Sequence, residues 1–144
     1  SSDLGGLPGI PLAILRPDWQ VFLLDSRQKK ISAIKETTDG LGCVNLHFIA
    51  GRGEEVGLDP MYNNRFQWLT ARAVSAIGNL ERWTRDLRDK EATLIAFKGG
   101  DLENEEVAPA QIPNVDRLVE HPIKLNGYFD FYFDKKKLVE IKFS

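Results

Sequence analysis

The sequence predicts an α+β fold: a mostly antiparallel sheet of five or six strands with one long amphipathic helix packed on a face. Three observations carry that expectation. Phe66, Leu69, Ala73, Ala76, Leu80, Trp83 and Leu87 recur at steps of three and four, lining one stripe of a helix over about 60–88. Val44, Leu46 and Phe48 alternate with Cys43, Asn45 and His47, the pattern of a half-buried strand. Phe129, Phe131 and Phe133, then Val139, Ile141 and Phe143, alternate on either side of Lys135, Lys136 and Lys137, which reads as a hairpin.

The chain has 144 residues, 42% of them hydrophobic and 28% charged, a composition that folds without disulfides or metal. Its single cysteine, Cys43, excludes an internal disulfide and reads as a small buried hydrophobe. A formal net charge of −2 lacks the basic footprint of a general nucleic-acid binder. No apolar run reaches the ~18 residues of a membrane span, which sets cytoplasmic residence as the default expectation.

Taken in order, residues 1–17 are Gly/Pro-rich and read as a flexible arm or remnant, leaving 18–144 as a single α+β domain. Val21, Phe22, Leu23 and Leu24 form an apolar block; a polar insert from Asp25 to Lys29 follows, and Ile31, Ala33 and Ile34 resume. As a helix, this stretch would put Ser26 and Lys30 in its apolar stripe, so a hairpin over 19–36 is preferred. Asp39 and Gly40 signal a turn before the strand at 43–50.

Two starts compete for the long helix, Asp59 with Pro60 and Asn64 with Gln67, and Gly78 with Asn79 is a candidate break. Glu81 with Arg85, Arg82 with Asp86 and Arg85 with Asp89 would pair on its outer face. Residues 92–98 read as a strand closed by Gly99 and Gly100, and 101–114 as an acidic, proline-bearing loop. In the final hairpin, Phe133 would pair with Val139, Phe131 with Ile141 and Phe129 with Phe143.

No stretch carries a recognisable catalytic motif. Cys43 and His47, four apart on one strand, are separated by ~13 Å and cannot form a dyad together. Those two positions and His121 supply no metal-ligand spacing, so neither metal nor cofactor is expected. Gly51 and Gly53, like Gly99 and Gly100, lack the Lys-Ser/Thr of a phosphate cradle and read as turns.

The leading expectation is therefore a non-catalytic protein-binding module, with a small bacterial immunity or antitoxin-like protein as the instance. It would block a partner, basic if charge steers it, through Glu54, Glu55, Asp59, Asp101, Glu103, Tyr128, Asp130, Tyr132 and Asp134. Nucleic acid is disfavoured as a partner, because the arginines at 65–88 interleave with acids. The alternatives are a structural domain of a viral or phage-like assembly and a hydrolase using loop carboxylates with a histidine.

Overall fold

The computed structural model describes residues 7–72, 75–102, 111–129 and 134–144. The chain divides into two compact units, Ser1–Glu55 and Val56–Ser144.

The first unit is a strand–helix–strand crossover preceded by a short helix. Within the stretch read as an arm, Gly9–Leu15 form α1, with Gly9 and Ala13 buried. Pro11 is accommodated because the N–H groups of a first helical turn have no intrahelical acceptor. Strand β1 (Val21–Asp25) runs parallel to β2 (Leu46–Ala50), in the register Val21↔Leu46 to Asp25↔Ala50. Between them α2 (Gln28–Thr38) buries Ile31, Ile34 and Thr38, three and four apart. Gly42, at φ 65°, then turns the chain toward β2 in the left-handed conformation glycine adopts readily.

This arrangement corrects the expected hairpin over 19–36. The polar insert begins a helix, since Asp25 accepts a hydrogen bond from the Arg27 N–H at 2.9 Å and Ile31 and Ile34 follow at helical spacing. The apolar block of β1 pairs with a strand beyond the helix, as parallel pairing requires a crossover of a dozen or more residues.

Asn45 ties the unit together from a 5%-exposed position. Its Nδ2 donates to the carbonyl oxygens of Ala13 (3.0 Å), Arg16 (3.2 Å) and Trp19 (2.9 Å), which satisfies acceptors at the end of α1 and in the turn into β1. Asn45→Asp replaces that donor with a carboxylate facing carbonyl oxygens. A loss of at least ~1–3 kcal/mol is expected by urea unfolding, the cost of leaving buried polar groups unsatisfied.

The second unit is a four-stranded mixed sheet in the order β3-β4-β6-β5. The strands are β3 (Phe66–Arg72), β4 (Arg88–Lys98), β5 (Val115–Pro122) and β6 (Lys137–Phe143). After the short helix α3 (Gly53–Val56), a second crossover helix, α4 (Ile77–Thr84), joins the parallel pair β3 and β4, whereas β6 lies antiparallel to both β4 and β5. Ile77 and Leu80 pack with Leu94, Ala96, Leu102, Ile112, Val139, Ile141 and Phe143 in the core. In β6, Lys137, Val139, Ile141 and Phe143 are buried in strict alternation.

The single helix over 60–88 and the antiparallel sheet are thus corrected. Within the stripe, Phe66 and Leu69 belong to β3, Leu80 and Trp83 to α4, and Leu87 to the approach to β4. The 66–72 stretch contains Phe, Trp and Thr, which suit a pleated surface, and pairing with β4 overrides the local helical period. Gly78 falls inside α4 just after its start, and does not break a longer helix. A strand has two hydrogen-bonding edges, and β6 uses one for β4 and the other for β5. Val139 therefore sits opposite Ala96 and Glu120, and Ile141 opposite Leu94 and Leu118, which replaces the predicted hairpin register. Phe129 is exposed, and Phe131 and Phe133 lie outside the described residues.

Candidate active site

In an open sheet with parallel strands, ligands bind beyond the carboxyl ends of the strands, where the loops gather. Each unit presents such an end.

In the first unit, β1 ends on Asp25, whose side chain is 19% exposed. Its Oδ1 accepts from the Arg27 N–H (2.9 Å) and Arg27 Nε (3.1 Å), and its Oδ2 from Lys30 Nζ (2.8 Å) and Arg27 Nη2 (3.3 Å). Burial opposes ionisation of this carboxyl, but the hydrogen bonds from Arg27 and Lys30 outweigh it and hold Asp25 well below the ordinary carboxylate range. A fixed anion therefore stands at the carboxyl end of the parallel pair.

In the sequence, Gly5 and Gly6 precede Gly9, the first residue of α1. A Cβ on Gly9 would overlap Leu23 Cδ2 and lie 3.6 Å from Val21 Cγ1. Any side chain at position 9 would force Leu23 to shift where α1 packs on β1. Glycines entering a helix, one of them needed for helix–strand contact, followed ~20 residues on by an acid ending a strand, make up the fingerprint of nucleoside-containing cofactor sites. In that fingerprint the acid accepts hydrogen bonds from ribose hydroxyls. Gly9 and Asp25 fit those two positions; Gly5 and Gly6 lie outside the described residues.

In the second unit, Arg72 ends β3 and Lys98 ends β4, and Gly99 and Gly100 follow. Lys98 donates to the Ser75 carbonyl at 2.8 Å. Arg72 is exposed and has no side-chain partner among the described residues. Lys135 pairs with Asp101 at 2.6 Å, and the largely buried Lys137 pairs with Glu120 at 2.6 Å. Cations thus collect at this end of the sheet.

The residues expected to bind a protein partner are dispersed. Glu54, half-buried, and Glu55, exposed, lie in the short helix α3 (Gly53–Val56). Asp59 is exposed and accepts from the Met61 N–H at 2.9 Å. Asp101 and Asp134 do meet at one corner, where the Gly100 N–H donates to the Asp134 carbonyl at 3.1 Å. Tyr128 is exposed; Glu103, Asp130 and Tyr132 lie outside the described residues. His47 stacks on Phe22 and bonds Gln20, and His121 Nε2 lies 3.0 Å from Glu140 Oε2, so each histidine is engaged by its own sheet. Among the described residues, no group of three or more metal-ligating side chains converges, and no helix is long and apolar enough to cross a membrane.

Gly9 and Asp25 are absent from the residues expected to form a site, although the sequence carries a signal for both: the glycine cluster before the first strand and the acid at that strand's end. Read as an arm and a turn, these two stretches point to no ligand.

Comparison with known proteins agrees with this geometry. The family model described as GidB, rRNA small subunit methyltransferase G, matches residues 4–127. A ribosomal RNA small subunit methyltransferase G from Lactobacillus helveticus is 36% identical over 100 residues, which cover 69% of this chain and 42% of that protein. The chain thus spans less than half the length of that relative. Among solved structures, a methyltransferase from Geobacter sulfurreducens superposes with a TM-score of 0.55 at 12% identity, covering 87% of this chain and 59% of the other. A SAM-dependent methyltransferase from Aquifex aeolicus gives 0.52 at 14% identity, covering 87% and 69%. These likenesses show a methyltransferase fold. The family match overturns the expected non-catalytic binding module, with its immunity-protein instance, and its structural and hydrolase alternatives.

Proposed function

The chain belongs to the rRNA small subunit methyltransferase G (GidB) family, and on that premise we propose that it binds S-adenosylmethionine and serves methyl transfer to small-subunit ribosomal RNA. The observation that carries the reading is the family match over 4–127, which includes the Gly9 contact with β1 and the Asp25 carboxylate ending that strand.

Bound there, S-adenosylmethionine supplies a sulfonium methyl group to a nucleophilic atom of the acceptor. Asp25 holds the ribose, its ionised oxygens accepting from hydroxyl groups. Because Arg27 and Lys30 already fill the directions around both oxygens, the Arg27 guanidinium, the more exposed of the two cations, would give way where Asp25 accepts from a ribose. Gly9 lets α1 lie against β1 at Leu23 and Val21. Ribosomal RNA as acceptor replaces the expectation that nucleic acid is disfavoured. A net charge of −2 is a whole-chain average, whereas recognition depends on the local cations at the sheet end.

Titration calorimetry of the chain with S-adenosylhomocysteine tests the reading. Saturable one-to-one binding is expected, with S-adenosylmethionine competing and adenosine triphosphate not. Absence of saturable binding to either sulfur compound would overturn it.

A further inference from the structure

We propose that Lys136, laid across Gly99 at the carboxyl end of β4, is a contact for a backbone phosphate of the RNA; this deepens the reading above and rests on it. The three consecutive lysines before and at the start of β6 have different fates. Lys135 is neutralised by Asp101 and Lys137 by Glu120, while Lys136 is exposed with no side-chain partner among the described residues.

Its position is nonetheless fixed. The Ile123 N–H donates to the Lys136 carbonyl at 2.9 Å, and the Gly100 N–H donates to the Asp134 carbonyl at 3.1 Å, so the segment is tied to the chain on both flanks. The side chain runs along the glycine. A Cβ placed on Gly99 would stand 3.1 Å from Lys136 Nζ and 3.4 Å from its Cδ. A side chain at 99 would crowd the ammonium in this position.

An ammonium without a side-chain partner among the described residues, carried on a segment whose backbone is tied at both flanks, differs from a lysine on a loose loop in two ways. Its backbone is already ordered before an anion binds, and it lies at the sheet end where ligands of this architecture gather. Lysine acts on phosphate as a point charge without base preference, so Lys136 positions RNA and does not read its sequence.

The test measures binding of the whole chain to small-subunit ribosomal RNA across a salt series. The parent is compared with Lys136→Gln, Gly99→Val and, as a matched control, Lys90→Gln; Lys90 is exposed near the other end of β4. Each lost phosphate contact lowers the slope of log affinity against log salt by ~0.7 for single strands. Lys136→Gln is expected to lower it by that amount, Gly99→Val to lower it while retaining the charge, and Lys90→Gln to leave it unchanged. A Lys136→Gln slope equal to the parent's, or a Lys90→Gln loss as large as that of Lys136→Gln, would overturn the assignment. So would a Gly99→Val slope equal to the parent's. If the parent still binds S-adenosylhomocysteine, the family reading survives those results; if the parent binds neither it nor RNA, both fall.

Discussion

Glu81→Gln is expected to destabilise the second unit by ~3–5 kcal/mol, the cost of removing one partner from a buried ion pair. Glu81 is 2% exposed and Arg88 6%. Arg88 Nη2 donates to Glu81 Oε1 at 3.0 Å, Arg85 Nη2 to Oε2 at 2.7 Å, and Asn114 Nδ2 to Oε1 at 3.4 Å. The Arg88 guanidinium also lies 3.5 Å from the centroid of the Phe143 ring, and its Nη1 is buried without a partner among the described residues. Without the carboxylate, this cation is left in the core with a ring face and a neutral amide. Urea unfolding followed by tryptophan fluorescence, to which Trp68 on β3 and Trp83 on α4 contribute from this unit, measures the loss, and a change under ~1 kcal/mol would contradict the account. Replacing both charges, Glu81→Met with Arg88→Met, is expected to recover most of the stability, because well-packed apolar residues often match a buried pair.

The same residue sets an acid limit. Burial opposes ionisation of Glu81, but hydrogen bonds from Arg85 and Asn114 and the charges of Arg85 and Arg88 outweigh it, and the carboxyl lies below its ordinary value. A folded value below the unfolded one contributes stability that is present above the ordinary carboxylate range. That stability is lost as pH falls through this range toward the lowered value. The Gln variant lacks this component, so its stability is expected to fall less over the same interval.

Asp25→Asn is expected to weaken S-adenosylhomocysteine binding by ~10–100-fold. Hydrogen bonds to a charged group are worth ~1.5–3 kcal/mol, and each ~1.4 kcal/mol is tenfold in affinity. Asparagine keeps an oxygen for the Arg27 N–H that starts α2, so the substitution removes charge while preserving the turn. Because Arg27 and Lys30 hold the parent carboxyl well below the ordinary range, its binding is expected to stay constant through mildly acid pH. Arg27→Ala should bind at least as well as the parent, since it removes the competitor for the Asp25 oxygens. Equal affinity of the Asn variant and the parent would place the ribose elsewhere.

Local sequence pattern dictates where apolar surface has to be buried. The block at 21–24, residues 46–50 of the alternation expected through 43–50, the run at 92–98 and that at 139–143 are each in strands, because their period and β-branched content suit a pleat locally, whereas Val44, expected on the buried face, precedes β2 and is 93% exposed. It also carried the helical spacing of Ile31 and Ile34 and the Glu81–Arg85 pair, both set by residues within two turns. Pairing was not written there. Whether β1 meets its sequence neighbour or a strand beyond a helix, and whether β6 takes one partner or two, are decided by contacts distant in sequence. Local periods do not encode them. The site depended on those contacts in turn. Gly9 matters because Leu23 lies beneath it, Glu81 is buried because the core closes over its end of α4, and Lys136 is positioned because β6 starts beside Gly99. Only tertiary structure supplies these neighbours, since each joins residues that chain proximity leaves apart.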